Sequence, residues 1–266
     1  MKIGVVMDPI ESINFKKDST LAMMLEAQSR KHQLFYMTPD SLYINEKGAF
    51  AIAKTLQVKN DPTGWFDFKE EKQIKLSELD VILMRQDPPF NSNYIYNTYV
   101  LESAEKEGVL VVNKPSSLRD CNEKVFATEF PECCTPFLVT SDQNLLKSFI
   151  EDHGDTVIKP LDGMGGSSIF RLRYSDPNLN VILETITESF TTKVMIQTYI
   201  PEITDGDKRI LLINGNPMDA AVARVPAEGE LRGNLAAGAS AVARSLTEKD
   251  LWICEQVGPK LKELGL

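Results

Sequence analysis

Histidine and cysteine are scarce in this chain, at two and four among 266 residues. His32 and His153 each fall where a helix is expected to end, a place where an imidazolium favours the helix dipole. No serine–histidine catalysis is read from them. Cys121, Cys133, Cys134 and Cys254 form no C-x-x-C pair, and the adjacent Cys133 and Cys134 are poorly placed for a zinc site or a disulfide framework. They are expected to be reduced structural thiols, which points to the cytoplasm. Long apolar runs are missing as well. No stretch of roughly eighteen apolar residues is present to span a membrane, and Asp8-Pro9 cuts "MKIGVVMDPI" short of a signal-peptide core. Positive charge is also in deficit. The net charge is −9, and no basic domain or stripe neutralises phosphates, so a nucleic-acid partner is not expected. A small polyanion can bind only where lysines and arginines gather locally.

What is present is an alternation of strand and helix signals in an α/β chain, long enough for a substantial core in one large domain or in several smaller ones. "KIGVVMD" at 2–8 and "QLFYM" at 33–37 read as strands. Between them Asp18 or Ser19 caps a helix with Leu21, Met24, Leu25 and Gln28 on one face, giving a βαβ start. "LYINEKGAFAIAKTLQV" at 42–58 reads as a hairpin turning at Glu46-Lys47-Gly48. "VILMR" at 81–85 is a buried strand. A helix follows with Tyr96, Tyr99, Val100, Ser103 and Ala104 along one face and ends at Gly108, before "VLVVN" at 109–113. In such sheets ligands gather at the C-terminal strand ends, where Asp8, Arg85 and Asn113 lie. After Pro115 the pattern shifts to antiparallel-type strands: "DTVIKP", "SSIFRLR", "KVMIQTYI", "KRILLIN" and "PMDAAVARV". A helix from Thr247 to Gly265 follows, with Ile253, Val257, Leu261 and Leu264 on one face and a kink at Pro259. The boundary near 113–123 divides 1–122 from 123–266.

The stretch "KPLDGMGGSSIF" at 159–170 is the densest in information. Three glycines crowd into four positions, with a lysine at the mouth of the loop. Glycine permits φ > 0 and lets N–H groups approach a ligand. No Gly-Lys-Ser/Thr closes the loop and a strand rather than a helix follows, so neither the P-loop nor the dinucleotide fingerprint fits. By itself the stretch reads equally as a flexible hairpin, although Lys159 offers a cation where loop amides would cradle phosphates. Lys124 alone reads as a solvated helix lysine, and Asp207-Lys208-Arg209 as an exposed charged turn. Arg85 reads as a buried arginine needing a carboxylate, and Tyr94, Tyr96 and Tyr99 as packing. "ARVPAEGELRGNLAAGA" has the composition of a mobile lid over a site, expected over 225–240.

Taken in order, "MDPIESINFKKDST", "ILMRQDPPF", "VNKPSSLRDCNEK", "KPLDGMGGSSIF", "DGDKRIL" and "RGNLAAG" resemble the bacterial glutathione synthetases, which are ATP-grasp ligases. The motifs run from residue 7 to 238. The resemblance implies an N-terminal α/β substrate-binding domain and an ATP-grasp domain with mostly antiparallel sheets. It implies ATP and Mg2+ as cofactors, with γ-glutamylcysteine and glycine joined through an acyl phosphate in a cytoplasmic homo-oligomer. Lys124, Lys159 and the loop glycines Gly163, Gly165 and Gly166 would hold the phosphates. Gln197, Tyr199 and Ile200 would read adenine, with Asp207 near the ribose. Arg209, with Arg224 and Arg232 from the lid, would neutralise the acyl phosphate and the oxyanion. Arg85, Asp18 and Asn234 would bind the peptide substrate.

In the family pattern a further strand and a Glu-x-Asn pair that holds magnesium follow the last helix; the chain given stops at Leu266, so no metal ligand is named. The reading is therefore of a ligase whose recorded chain lacks its C-terminal part. The alternatives are a catalytically impaired nucleotide- or peptide-binding module, or an ATP-grasp ligase for a different amino acid or peptide.

Overall fold

The computed structural model describes every residue except 228, 230–232 and 234–237. The chain divides into two compact units, residues 1–120 with 264–266, and residues 121–263.

The first unit is built on a seven-stranded mixed sheet. Its centre is β1 (Lys2–Met7), followed by α1 (Ser19–Ser29) and β2 (Gln33–Met37). β1 is apolar on both faces because it is covered on both, with Val5 and Val6 fully buried. Asp18 caps α1, its carboxylate accepting from the Leu21 N–H at 2.6 Å. The hairpin forms as β3 (Leu42–Asn45) and β4 (Gly48–Val58), and β5 (Phe66–Lys75) pairs antiparallel with β4. β6 (Val81–Arg85), α2 (Ser92–Lys106), β7 (Leu110–Val112) and the short α3 (Pro115–Asp120) complete the unit. β1 runs parallel to both β2 and β6, and β6 to β7.

The expected face of α2 is rotated. Thr98, Val100, Leu101 and Ala104 are buried, whereas Tyr96 and Tyr99 are exposed. Small Thr98 and Ala104 let the helix approach the sheet. Tyr99 instead covers Arg119, whose guanidinium lies 4.3 Å from the ring centroid and pairs with Glu102 at 2.7 Å.

The second unit holds two antiparallel sheets. The first contains β8 (Phe137–Thr140), β9 (Asp155–Pro160), β10 (Phe170–Arg173) and β11 (Val194–Thr198), in the order β10-β9-β11-β8. Helices α4 (Gln143–His153) and α5 (Leu179–Ile186) cover one face. Leu146, Ile150, Leu179 and Leu183 pack there on Ile158, Leu172, Val194 and Ile196. The second sheet orders β12 (Asp207–Ile213), β13 (Asn216–Val225) and β14 (Ser240–Ser245), and α6 (Glu248–Leu264) follows, with Pro259 inside it. Cys254 and Gly258 are the buried positions of α6, flanked by the half-buried Ile253, Val257 and Leu261. The lid expected over 225–240 contains the residues outside the description, and that reading lies with them.

His153 ends α4 as expected, its ring centroid 4.2 Å from that of Phe149. His32 lies beyond the end of α1, with Nδ1 3.3 Å from the terminal amine of Met1.

Asp155 opens β9 between Arg171 and Arg173. Arg171 donates two hydrogen bonds, at 2.8 and 2.5 Å, and Arg173 donates at 3.2 and 2.8 Å. The Arg171 bonds lead in holding the carboxyl at about 2, below its ordinary 3.8. A depressed carboxyl stabilises the fold fully above about pH 4, and the effect disappears as pH falls through about 2. With 29% of its side chain exposed, solvent screens the cluster. Asp155→Asn should cost about 1 kcal/mol near neutral pH and progressively less towards pH 2. Denaturant unfolding at both pH values measures this, and an equal deficit at both would refute it.

Candidate nucleotide site

The alternation of β9 and β11 creates the site. Ile158, Val194 and Ile196 point into the helix-covered core, so Lys159, Met195 and Gln197 must face the other way. Lys159 stands opposite Met195 in the ladder, and Gln197 opposite Phe137 of β8. These four side chains wall a cleft of about 230 Å³, closed further by Lys124 and Ile200.

The two lysines differ in state. Lys124 Nζ donates to the carbonyls of Gly163 at 2.7 Å and Leu161 at 3.2 Å, and to the Glu123 carboxylate at 2.8 Å. All three of its protons are used, so the reading of Lys124 as a solvated lysine is corrected: its side chain is 12% exposed and ties the glycine loop to the cleft floor. Asn122 reinforces the tie, Nδ2 donating to Leu161 O at 3.1 Å. Lys159 Nζ makes no hydrogen bond among the described residues. Burial first, and then the charge of Lys124, push its pKa below the ordinary lysine value. A half-buried cation beside another cation, with its donors free, is poised for an anion.

The loop glycines are needed where they stand. Gly165 and Gly166 have φ of 68° and 80°, the left-handed region that a side chain resists. A Cβ on Gly163 would lie 2.6 Å from the Pro160 ring.

At the end of β11, Thr198 N–H donates to Pro136 O and the following Tyr199 N–H to Asp155 O, each at 3.0 Å. Among the described residues this leaves the Tyr199 carbonyl and the Ile200 N–H without a hydrogen bond, one acceptor and one donor where the chain leads into Ile200, which lines the cleft. The Tyr199 ring is fixed by the Arg171 guanidinium 3.8 Å from its centroid. Thr198 Oγ1, buried and without a partner among the described residues, was not foreseen, and nothing in the sequence marks it.

Asp207 and Arg224 face each other across β12 and β13. Arg224 is a strand residue, not part of a loop as expected, and its guanidinium grips Asp207 through Nε at 2.9 Å and through its terminal nitrogen. Arg209 lies two residues along β12, on the same face, exposed and without an ion-pair partner among the described residues. Arg232 and Asn234 lie outside the described residues.

In the first unit Arg85 is exposed, which corrects the expectation of a buried arginine with a carboxylate partner. The guanidinium donates to Thr20 Oγ1 at 3.0 Å and Ser19 Oγ at 2.9 Å. Asp18 is occupied as the α1 cap. Nearby, Asp8 accepts from the Asp87 N–H at 2.7 Å. Burial first, then the charge of Asp8, raise the Asp87 carboxyl above its ordinary value.

Two family models match. One, described as the ATP-grasp domain of prokaryotic glutathione synthetase, covers residues 123–266, and another, described as its N-terminal domain, covers residues 1–119. The chain belongs to the prokaryotic glutathione synthetases. Relatives include the glutathione synthetases of Pseudomonas putida, 58% identical, and of Vibrio parahaemolyticus, 54% identical, each over all of this chain and 84% of its own length. Among solved structures, the ATP-grasp ligase PsnB complexed with a minimal precursor has a TM-score of 0.59 at 16% identity, over 100% of this chain and 82% of its own. D-cycloserine synthetase DcsG has 0.63 at 13%, over 99% and 82%. These two establish the ATP-grasp fold. Family membership makes the chain an ATP-dependent ligase that forms glutathione, and identity at this level over the whole chain favours neither a bare binding module nor a ligase for another peptide.

Proposed function

We propose that the cleft between Lys124, Lys159 and Gln197 binds ATP and that the γ-phosphate passes to the cysteinyl carboxylate of γ-glutamylcysteine. The observation that carries this reading is Lys159, a half-buried cation whose donors are free among the described residues, on the face of the sheet turned away from the core. The Tyr199 carbonyl and Ile200 N–H match the donor and acceptor of an adenine edge, and Met195 and Phe137 supply an apolar floor for the ring. Phosphates compete with the Leu161 and Gly163 carbonyls for Lys124, and the left-handed glycines free loop N–H groups to turn towards them.

A carboxylate is a poor electrophile until its oxygen becomes part of a leaving group. Phosphoryl transfer asks mainly for positioning and neutralised charge. Arg209 is assigned to the acyl phosphate and to the oxyanion formed when the glycine amine attacks. Arg224, oriented by Asp207, is assigned beside it, with Asp207 near the ribose once that pair opens. Arg85 is assigned to a carboxylate of the peptide, which would displace its two hydroxyl partners.

Magnesium would supply charge neutralisation at the phosphates. Among the described residues no group of three or more His, Cys, Asp or Glu stands together to hold a metal, so no ligand is assigned and no step runs through it. We place the activity in the cytoplasm, in a homo-oligomer acting on small molecules. The net charge of −9 supports no nucleic-acid partner, and no described helix is long and apolar enough to cross a membrane.

The test is the dependence of phosphate release on each component. With ATP, Mg2+, γ-glutamylcysteine and glycine all present, phosphate and glutathione should appear in equal amounts. Omitting any one should leave neither. Release of AMP and pyrophosphate, or phosphate release without γ-glutamylcysteine, would overturn the acyl-phosphate reading.

A further inference from the structure

Cys133 and Cys134 line the same cleft as Lys124 and Lys159. The sequence reading left them as structural thiols, yet neither is fully buried. They stand at the end of a 3-10 turn at Pro131–Cys133, which brings both thiols to the cleft wall. Their states differ. Cys134 Sγ donates to Ala127 O at 3.3 Å, and burial holds it protonated to a higher pH than a free thiol. Cys133 Sγ makes no hydrogen bond among the described residues. Reactive cysteines sit in partly exposed, electropositive surroundings, and among the described residues two lysines line this cleft against one carboxylate, Glu123.

We propose that Cys133 is a modification site for small anionic disulfides, and that its mixed disulfide shuts the nucleotide cleft. The proposal rests on the reading of this cleft as the ATP site. The ligand class follows from the cleft's charge and from the established activity, whose product is an anionic thiol with a disulfide as its oxidised form. The Cys133 thiolate attacks one sulfur of the disulfide, whose S–S bond breaks as a new one forms to Cys133. The other half leaves as a thiolate and takes a proton from water. Cys133 is oxidised and the departing sulfur reduced, so no further oxidant is needed, and a free thiol reverses the step. The attached peptide carries carboxylates that Lys124 and Lys159 attract, and it fills space that ATP requires.

The test uses the reduced 266-residue chain, with glutathione disulfide as the probe. ATP affinity is measured first, by titration. Failure of the reduced chain to bind ATP would sink the functional reading itself. Given binding, intact mass should show one glutathionyl group, mapped to Cys133 by peptide analysis, and the modified chain should lose ATP binding until dithiothreitol restores it. ATP at about ten times its Kd leaves about a tenth of the clefts free and should slow the modification about tenfold. Cys134→Ser should still take up the group, and Cys133→Ser should not. Modification only at other cysteines, none at all, a rate indifferent to ATP, or unchanged ATP affinity in the modified chain would each overturn the proposal while leaving the ATP site standing.

Discussion

Lys159→Met lowers kcat/KM for ATP by about a thousandfold, equivalent to about 4 kcal/mol of lost transition-state stabilisation. Methionine keeps most of the stem's volume, so the wall that Lys159 shares with Met195 and Gln197 stays filled, and only the cation is lost. Lys124 cannot take over, because each contact it makes to a phosphate is won from the Leu161 and Gly163 carbonyls, and Glu123 already offsets its charge. A charge-assisted bond to a phosphate in a half-desolvated cleft is among the stronger single contacts available.

The pH profile separates this role from a structural one. Bound phosphates stabilise the charged form and raise the pKa of Lys159 from its lowered value, so ATP affinity falls as pH rises through that lowered value. The methionine variant should lose this alkaline limb while its thermal unfolding stays near wild type. An ATP Kd and kcat equal to wild type, or a limb that persists in the variant, would remove Lys159 from the phosphate site.

How much of this was legible depended on whether one residue carried the signal. The glycine loop was legible because its positive φ values at Gly165 and Gly166 demand glycine, and because an apolar strand delivers Lys159 to it. Asp18 was legible as a cap for the same local reason. β5 went unread because "KEEK" fills its middle: Lys69 to Lys72 are exposed on an antiparallel flank, so neither face shows a period of two. β14 was lost likewise, all six residues being exposed. Helix α4 carried its signal, Leu146 and Ile150 four apart behind the Asp142 cap, and only its end at His153 was read. The α2 face was misread because tyrosine was weighted as a core residue, whereas Tyr99 packs on Arg119 at the surface.

The site shows the same division. Lys159, Gln197 and Ile200 could be placed from strand ends and motif order. The grip of Lys124 on the Leu161 and Gly163 carbonyls, and that of Arg224 on Asp207, could not, since each joins residues 17 or more apart with no local pattern requiring it.

Gly258 is the sharpest case, because local rules give it the wrong sign. It lies inside α6, where Gly→Ala normally stabilises by about 1 kcal/mol. Here a Cβ would sit 2.2 Å from the carbonyl oxygen of Gly215, in the turn between β12 and β13. Gly215 cannot easily retreat, since it has φ of 81° and a Cβ of its own would meet Gly258 O at 2.8 Å. A contact short by about 1 Å between two backbones must move a whole helix or a whole hairpin, which costs more than a side-chain adjustment. The clash therefore outweighs the propensity, and Gly258→Ala should destabilise the chain by about 3 kcal/mol net. For a chain of this size that corresponds to a fall in Tm of about 6–12 °C. Gly64→Ala is the control: no atom lies within 4 Å of its Cβ, and its Tm should stay within about 2 °C of wild type. A Gly258→Ala protein as stable as wild type would mean that α6 does not press on the β12–β13 turn, and the close packing of that helix against the second sheet would have to be abandoned.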